Sequence, residues 1–130
     1  LLAEGHPLAD LPVIRPEQLV DGPMVLLDAP PSRNYFLSIF QHLGRQPTIA
    51  HASSSFEMVR GMVGHGLGFA LLATKPAAAM TYDGKALVTR KLETEVKASR
   101  ITLARKKQTI MSEAAALFAR HCKDVFAPSA

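Results

Sequence analysis

"PTIAHASSSFEMVRGMVGHGLGFALL" (Pro47–Leu72) decides the fold. "PTIAHAS" (Pro47–Ser53) reads as a strand. Ser54 and Glu57 then stand at capping-box spacing, which predicts a helix start. Phe56, Val59, Met62 and Val63 recur at helical spacing and mark one buried face. Four glycines follow between Gly61 and Gly68, and "LGFALLA" (Leu67–Ala73) reads as a second apolar strand. Two apolar strands joined by a helix make a parallel pair, because a crossover of that length reverses the chain twice. The glycines raise a choice between a phosphate loop and turn chemistry. A phosphate loop leaves a strand and enters a helix, where free N–H groups and the positive dipole end face the anion. "GMVGHGLGF" leaves a helix and enters a strand, so it offers carbonyls instead. Gly64 or Gly66 is predicted to close the helix in a left-handed conformation, and Gly68 to let a helix lie close over the strand start.

The same alternation extends upstream. "PEQLVDG" (Pro16–Gly22) reads as a short helical turn with Pro16 at its first position. "PMVLLD" (Pro23–Asp28) reads as a buried strand. Tyr35, Phe36, Ile39, Phe40 and Leu43 mark a helix face, with Ser32 placed to cap it and Gly44 to end it. Downstream, "KPAAAM" is a short helix candidate, and "KALVTRKL" (Lys85–Leu92) and "RITLARK" (Arg100–Lys106) read as strands. "SEAAALFARHCKDVF" (Ser112–Phe126) is an amphipathic helix with Ala115, Phe118, Ala119, Cys122 and Val125 on its apolar side. The predicted class is α/β, a mainly parallel sheet flanked by helices.

Composition narrows the functional classes. Apolar residues make up 48% of the 130 and charged ones 20%, which suits a globular chain. No apolar run reaches the roughly 18 residues of a membrane span, so no membrane association is expected. The single cysteine, Cys122, excludes an intrachain disulfide and fits a reducing cytoplasm. No histidine pair has zinc-site spacing, so no metal and no cofactor are expected. Eight of the fifteen basic residues lie between Lys85 and Lys107. Such a run is either a solvated surface or a face for an acidic partner. No aromatic interleaves with it, which argues against a stacking platform for single strands.

In open α/β sheets ligands bind at the carboxyl ends of strands. Here those ends are "LLDAPPSRN" and "IAHASSSFE", each running into a helix N-terminus. Pro31, Ser32, Arg33 and Asn34 on one, and His51, Ala52, Ser53 and Ser54 on the other, are the candidate binding residues. Their hydroxyl, amide and guanidinium donors suit a small anionic or polar metabolite. His6, His42, His65 and His121 read as structural or surface residues. An enzyme would need a nucleophile, a base and an orienting group together. His51 beside Ser53–Ser55 is the only candidate cluster, and no nucleophile-elbow sequence surrounds it.

"GHPLA" (Gly5–Ala9), "PEQLVDGPMVLL" and "FLSIFQHLGRQPTIAHASSSFEMVRGMVGHGLGFALL" together resemble the effector-binding domain of LysR-type transcriptional regulators. The pattern runs through Val63, Gly66, Gly68, Leu71 and Leu72, and the family's usual next proline is Ala73 here. The resemblance implies a periplasmic-binding-protein type II-like fold, with one complete subdomain plus part of a second. Residues 1–11 would end the first subdomain, 12–97 would form the second, and 98–130 would be the returning strand and C-terminal helix of the first. Hinges would lie near Ala3–His6 and Ala98–Ile101, with Arg100 able to reach an anion. The chain would then sense a small-molecule effector in an inter-subdomain cleft, as part of a cytoplasmic homo-oligomer (dimer or tetramer) and not as an enzyme. It would act on DNA only through a helix-turn-helix outside this sequence. Two other readings stay open: a solute-binding protein of a transporter, and an oligomerisation module without a ligand.

Overall fold

A computed structural model describes residues 1–97, 102–108 and 110–126. They fall into two compact units, Leu1–Ser99 and Arg100–Ala130.

In the first unit the elements are β1 (Leu2–Ala3), β2 (Val13–Ile14), a 3-10 turn (Pro16–Gln18), β3 (Pro23–Leu27), α1 (Ser32–Gln41), β4 (Thr48–Ser53), α2 (Phe56–Gly64), β5 (Leu87–Val88) and β6 (Lys91–Leu92). The apolar run Met24–Leu26 is wholly buried and makes β3 the centre. β4 pairs with it in parallel on one side. On the other side Phe69 bridges to Met24, its N–H donating to the Pro23 carbonyl at 3.0 Å and its carbonyl accepting from Val25 N at 2.7 Å. Ala70 and Leu1 then exchange N–H···O bonds of 3.0 and 2.7 Å, and β1 pairs antiparallel with β5. β2 and β6 form a separate parallel pair.

Strand alternation sorts the core into two sides. Met24, Leu26 and Phe69 pack with Phe36, Ile39 and Phe40 of α1. Val25 and Ala70 pack with Val59 and Val63 of α2 and with Leu87. The two helices therefore cover opposite faces, the layered arrangement that an α/β sequence predicts. Each fully buried large side chain contributes on the order of 1.5–3 kcal/mol of transfer free energy.

Gly66 takes φ +75° just after α2, where the chain turns toward the sheet. Gly68 differs from expectation: no helix crosses it, but the β3 backbone does. A Cβ there would lie 2.3 Å from the Pro23 carbonyl oxygen. Gly64 lies inside α2 and lets the 81–85 turn approach, since its Cβ would stand 2.7 Å from Thr81 Cγ2.

Several expectations fail for identifiable reasons. "LGFALLA" forms no extended strand; Gly68 at φ +151° interrupts the backbone before it, and the segment makes the Phe69 bridge to Met24 and the Ala70 bonds to Leu1. "KPAAAM" is not helical. Met80 bridges antiparallel to Ala86, Leu87 N donates to the Ala79 carbonyl, and the Arg60 guanidinium takes the Ala78 and Met80 carbonyls. "KALVTRKL" divides into β5 and β6, which pair with different strands.

The second unit contains α3 (Glu113–Val125). Ser112 caps it, its hydroxyl accepting from Ala115 N at 3.3 Å. None of its residues is buried, and Phe118 and Val125 on the expected apolar side are more than half exposed. Thr102–Lys106 of "RITLARK" forms no strand; none of the described residues supplies the hydrogen-bonded neighbour a strand requires. Arg100, Ile101 and the hinge expected at Ala98–Ile101 lie outside the described residues.

Candidate functional site

The register of β3 against β4 builds the site. Leu27 stands opposite Ser53, so the two strands end together, and Asp28 N donates to the Ser53 carbonyl at 2.8 Å. A shift in register after Met24 leaves Ala50 unpaired: Met24 faces Ile49, whereas Val25 faces His51. This bulge resets which side chains share a face. His51 and Ser53 take the side of Val25 and α2, and Ala52 takes the side of Leu26 and α1. The eight candidates at the two strand ends are therefore brought to one edge but divided between its two faces. Arg100 lies outside the described residues.

On the α1 side, the chain passes through a cis Pro30–Pro31 bond into the helix. Ser32 does not cap α1. The N-cap position is Pro31, and no side chain bonds the first-turn N–H groups. The proline pair fixes the entry one residue earlier than the serine preference suggests. Ser32 and Arg33 are half-buried and Asn34 and Pro31 exposed. The Arg33 guanidinium pairs with Asp28, Nη1 to Oδ1 2.9 Å, with both side chains about two-fifths exposed. Such a pair is worth at most about 1 kcal/mol, so an incoming anion can compete for the guanidinium. Asp28, the partner of Arg33, is a candidate that the sequence reading did not single out. Its only signal was its place at the end of the strand.

On the α2 side, Ser55 and not Ser54 is the cap. Its hydroxyl accepts from Met58 N at 3.3 Å, and its own N–H donates to the Ser53 hydroxyl at 3.1 Å. Three consecutive serines hide this from composition, since each could cap. The consequence for binding is favourable: the cap does not use the exposed Ser54 side chain. Glu57 turns from the expected capping box to Arg60, Oε1 to Nη1 3.0 Å. Arg60 is only 6% exposed, sits 5.9 Å over the Phe56 ring and donates to the Ala78 and Met80 carbonyls at 2.9 and 2.6 Å. It thereby fastens the 78–80 segment to the first turns of α2.

His6 and His65 bond within the fold. His6 Nδ1 accepts from Leu8 N at 3.1 Å, and burial holds its pKa below the ordinary value. His65 Nε2 lies 2.6 Å from Asp83 Oδ2, and Thr81 donates to the other Asp83 oxygen at 2.5 Å. The Thr81 hydroxyl bond and the His65 bond both lower the Asp83 pKa. Thr81 addresses the carboxylate and not the imidazole, so this trio lacks the nucleophile–base contact of a hydrolase. Among the described residues no cluster of His, Cys, Asp or Glu could hold a metal, and no helix is long and apolar enough to cross a membrane.

The LysR substrate binding domain family matches residues 1–127. Three solved structures are similar. The PA01 protein of Pseudomonas aeruginosa, assigned to the LysR family transcriptional regulators, has 40% identity and a TM-score of 0.84 over 98% of this chain and 46% of its own. HinK, a LysR family transcriptional regulator of the same organism, has 41% identity and a TM-score of 0.82 over 95% and 43%. The C-terminal domain of a Rhodococcus sp. RHA1 protein assigned to that family has 34% identity and a TM-score of 0.78 over 92% and 60%. The chain thus spans under two thirds of the length of each. Among curated proteins none matches significantly.

Proposed function

Because this chain belongs to the LysR substrate binding domain family, with its type II periplasmic-binding-protein-like α/β fold, we propose that it is the effector-sensing part of a bacterial transcription regulator. The effector is a small anionic or polar metabolite. It binds at the carboxyl ends of β3 and β4, against Ser53, Ser54 and His51 on one helix start and Ser32, Arg33 and Asn34 on the other. The observation that carries this reading is the shared edge of two parallel strands, each feeding a helix N-terminus, with an exposed Ser54 that the α2 cap does not use and a weakly paired guanidinium at Arg33. First-turn N–H groups and the positive dipole end favour negative charge there.

The remaining parts of the reading rest on the family resemblance. The cleft closes against a second subdomain, the assembly is a cytoplasmic homo-oligomer, and DNA is bound by a helix-turn-helix outside this sequence. The ligand shifts the regulator only by its differential affinity for two arrangements of the subdomains. The test is a calorimetric screen of small carboxylates against the longer protein containing this chain. Ser53→Ala and Arg33→Ala should each weaken the best ligand severalfold at unchanged helicity. Unchanged affinity in both removes the site assignment.

A further inference from the structure

On the α1 face the structure contains a concavity that shares no residue with the strand-end site. It is an open cleft of about 700 Å³ between α1, the Ala70–Lys75 segment and the Thr89–Val96 segment. Its wall and floor are apolar. Tyr35, Leu72 and Leu92 are partly exposed and form its surface, over the buried Phe36, Ile39 and Leu71; the Tyr35 and Phe36 rings meet at 5.7 Å between centroids in a tilted pair. Its rim is cationic: Lys75, Arg90 and Lys91 line it, with the hydroxyls of Thr74, Thr89 and Thr94 between them. No carboxylate lines it, whereas the neighbouring concavities beside β2 and β6 hold Glu17, Glu93 and Glu95. Among the described residues none of the three cations pairs with an acid; Arg90 donates only to the carbonyl of Thr89, at 3.2 Å.

We propose that this cleft is a binding site for a small organic anion with an apolar body, such as an arylalkyl carboxylate. The volume suits a ligand of that size. Lys75, Arg90 and Lys91 neutralise the carboxylate at the rim, and Tyr35 with Leu72 and Leu92 takes the body. The site goes beyond the strand-end reading: it uses none of Arg33, His51, Ser53 or Ser54, so either can fail without the other. It also gives part of the basic run of the sequence, Arg90 and Lys91, a role other than solvation.

The probe is 3-phenylpropionate, with 3-phenylpropan-1-ol as its neutral counterpart, titrated into the 130-residue chain at low salt with amide chemical shifts as readout. The expected result is saturable perturbation at Leu71–Lys75, Thr89–Leu92 and Tyr35. The alcohol should bind at least about fivefold more weakly, and Lys75→Gln/Arg90→Gln should weaken the carboxylate by about the same factor, in line with two exposed charge contacts. Both residues are exposed, so the fold should survive. If the double variant does not fold, the two single variants carry the same comparison. Perturbation confined to His51–Ser55, equal binding of the alcohol, unchanged affinity in the variants, or no saturable shift at all would each overturn the proposal.

Discussion

Replacing Gly68 by Ala tests whether the contact of the 67–73 segment with β3 is the joint that holds the sheet together. The added Cβ would stand 2.3 Å from the Pro23 carbonyl oxygen and 2.9 Å from its carbon. Both atoms are backbone and cannot rotate aside. Gly68 also has φ +151°, a region that costs a side-chain-bearing residue about 1–3 kcal/mol. Relief of the overlap requires β3 and the segment to part, which strains the Phe69 N to Pro23 O and Val25 N to Phe69 O bonds. Two buried backbone bonds are worth about 2 kcal/mol net. The sum is about 3–5 kcal/mol, against a total of about 5–15 kcal/mol for a domain of this kind. In a urea titration followed by far-UV circular dichroism, with a slope of about 1.5 kcal/mol/M, a loss of 4 kcal/mol lowers the midpoint by about 2.7 M. Gly66→Ala is the control. It has φ +75° but nothing within 4 Å of the new atom, so only about 1 kcal/mol is expected. A Gly68→Ala chain that loses no more than Gly66→Ala refutes the close-approach argument.

Three further outcomes follow from the same geometry. Ser55→Ala removes the α2 cap and should cost about 1 kcal/mol, whereas Ser54→Ala should stay within about 0.5; a reversed order in denaturant titrations would restore Ser54 as the cap. Arg60→Met keeps the apolar stem but leaves the Ala78 and Met80 carbonyls without their donor, so about 2–4 kcal/mol should be lost, with faster amide exchange around 79–81; protection unchanged there would contradict the clamp. Because His6 has a lowered pKa in the fold, the unfolded chain takes up its proton first, and stability should fall as pH drops through about 6.5. His6→Asn keeps an acceptor for Leu8 N without that proton. Comparing it with the parent isolates the His6 contribution. Parallel stability curves for the two chains between pH 5 and 7 would contradict the His6 assignment.

The parts of the fold legible in the sequence are those set by local pattern. Met24–Leu26, the Tyr35–Phe40 face and the Val59–Val63 stripe carry their own periodicity, and the corresponding elements form within a few residues of their expected ends. Pro16, Gly44, Gly66 and Ser112 act at turns and caps that need only local chemistry. What the sequence hid depends on partners distant along the chain. Three alanines favour helix in "KPAAAM", but Arg60, the Ala86 bridge and the Leu87 N–H claim its carbonyls and its pairing. The bulge at Ala50, which sets the face that His51 and Ser53 share, comes from register with β3 and leaves no mark in β4 itself. At the candidate site the residue types were legible at both strand ends. Their partners were not: the Asp28–Arg33 pair and the Ser53–Ser55 contact depend on how the loops close.

The central claim is that this chain senses an effector on behalf of a DNA-binding regulator. Reading the coding DNA upstream of the codon for Leu1 tests it most directly. The account predicts an in-frame extension encoding a basic helix-turn-helix, a linker helix and the rest of the first subdomain. A start codon or an export signal immediately before Leu1 would contradict it and would favour a free-standing solute-binding module.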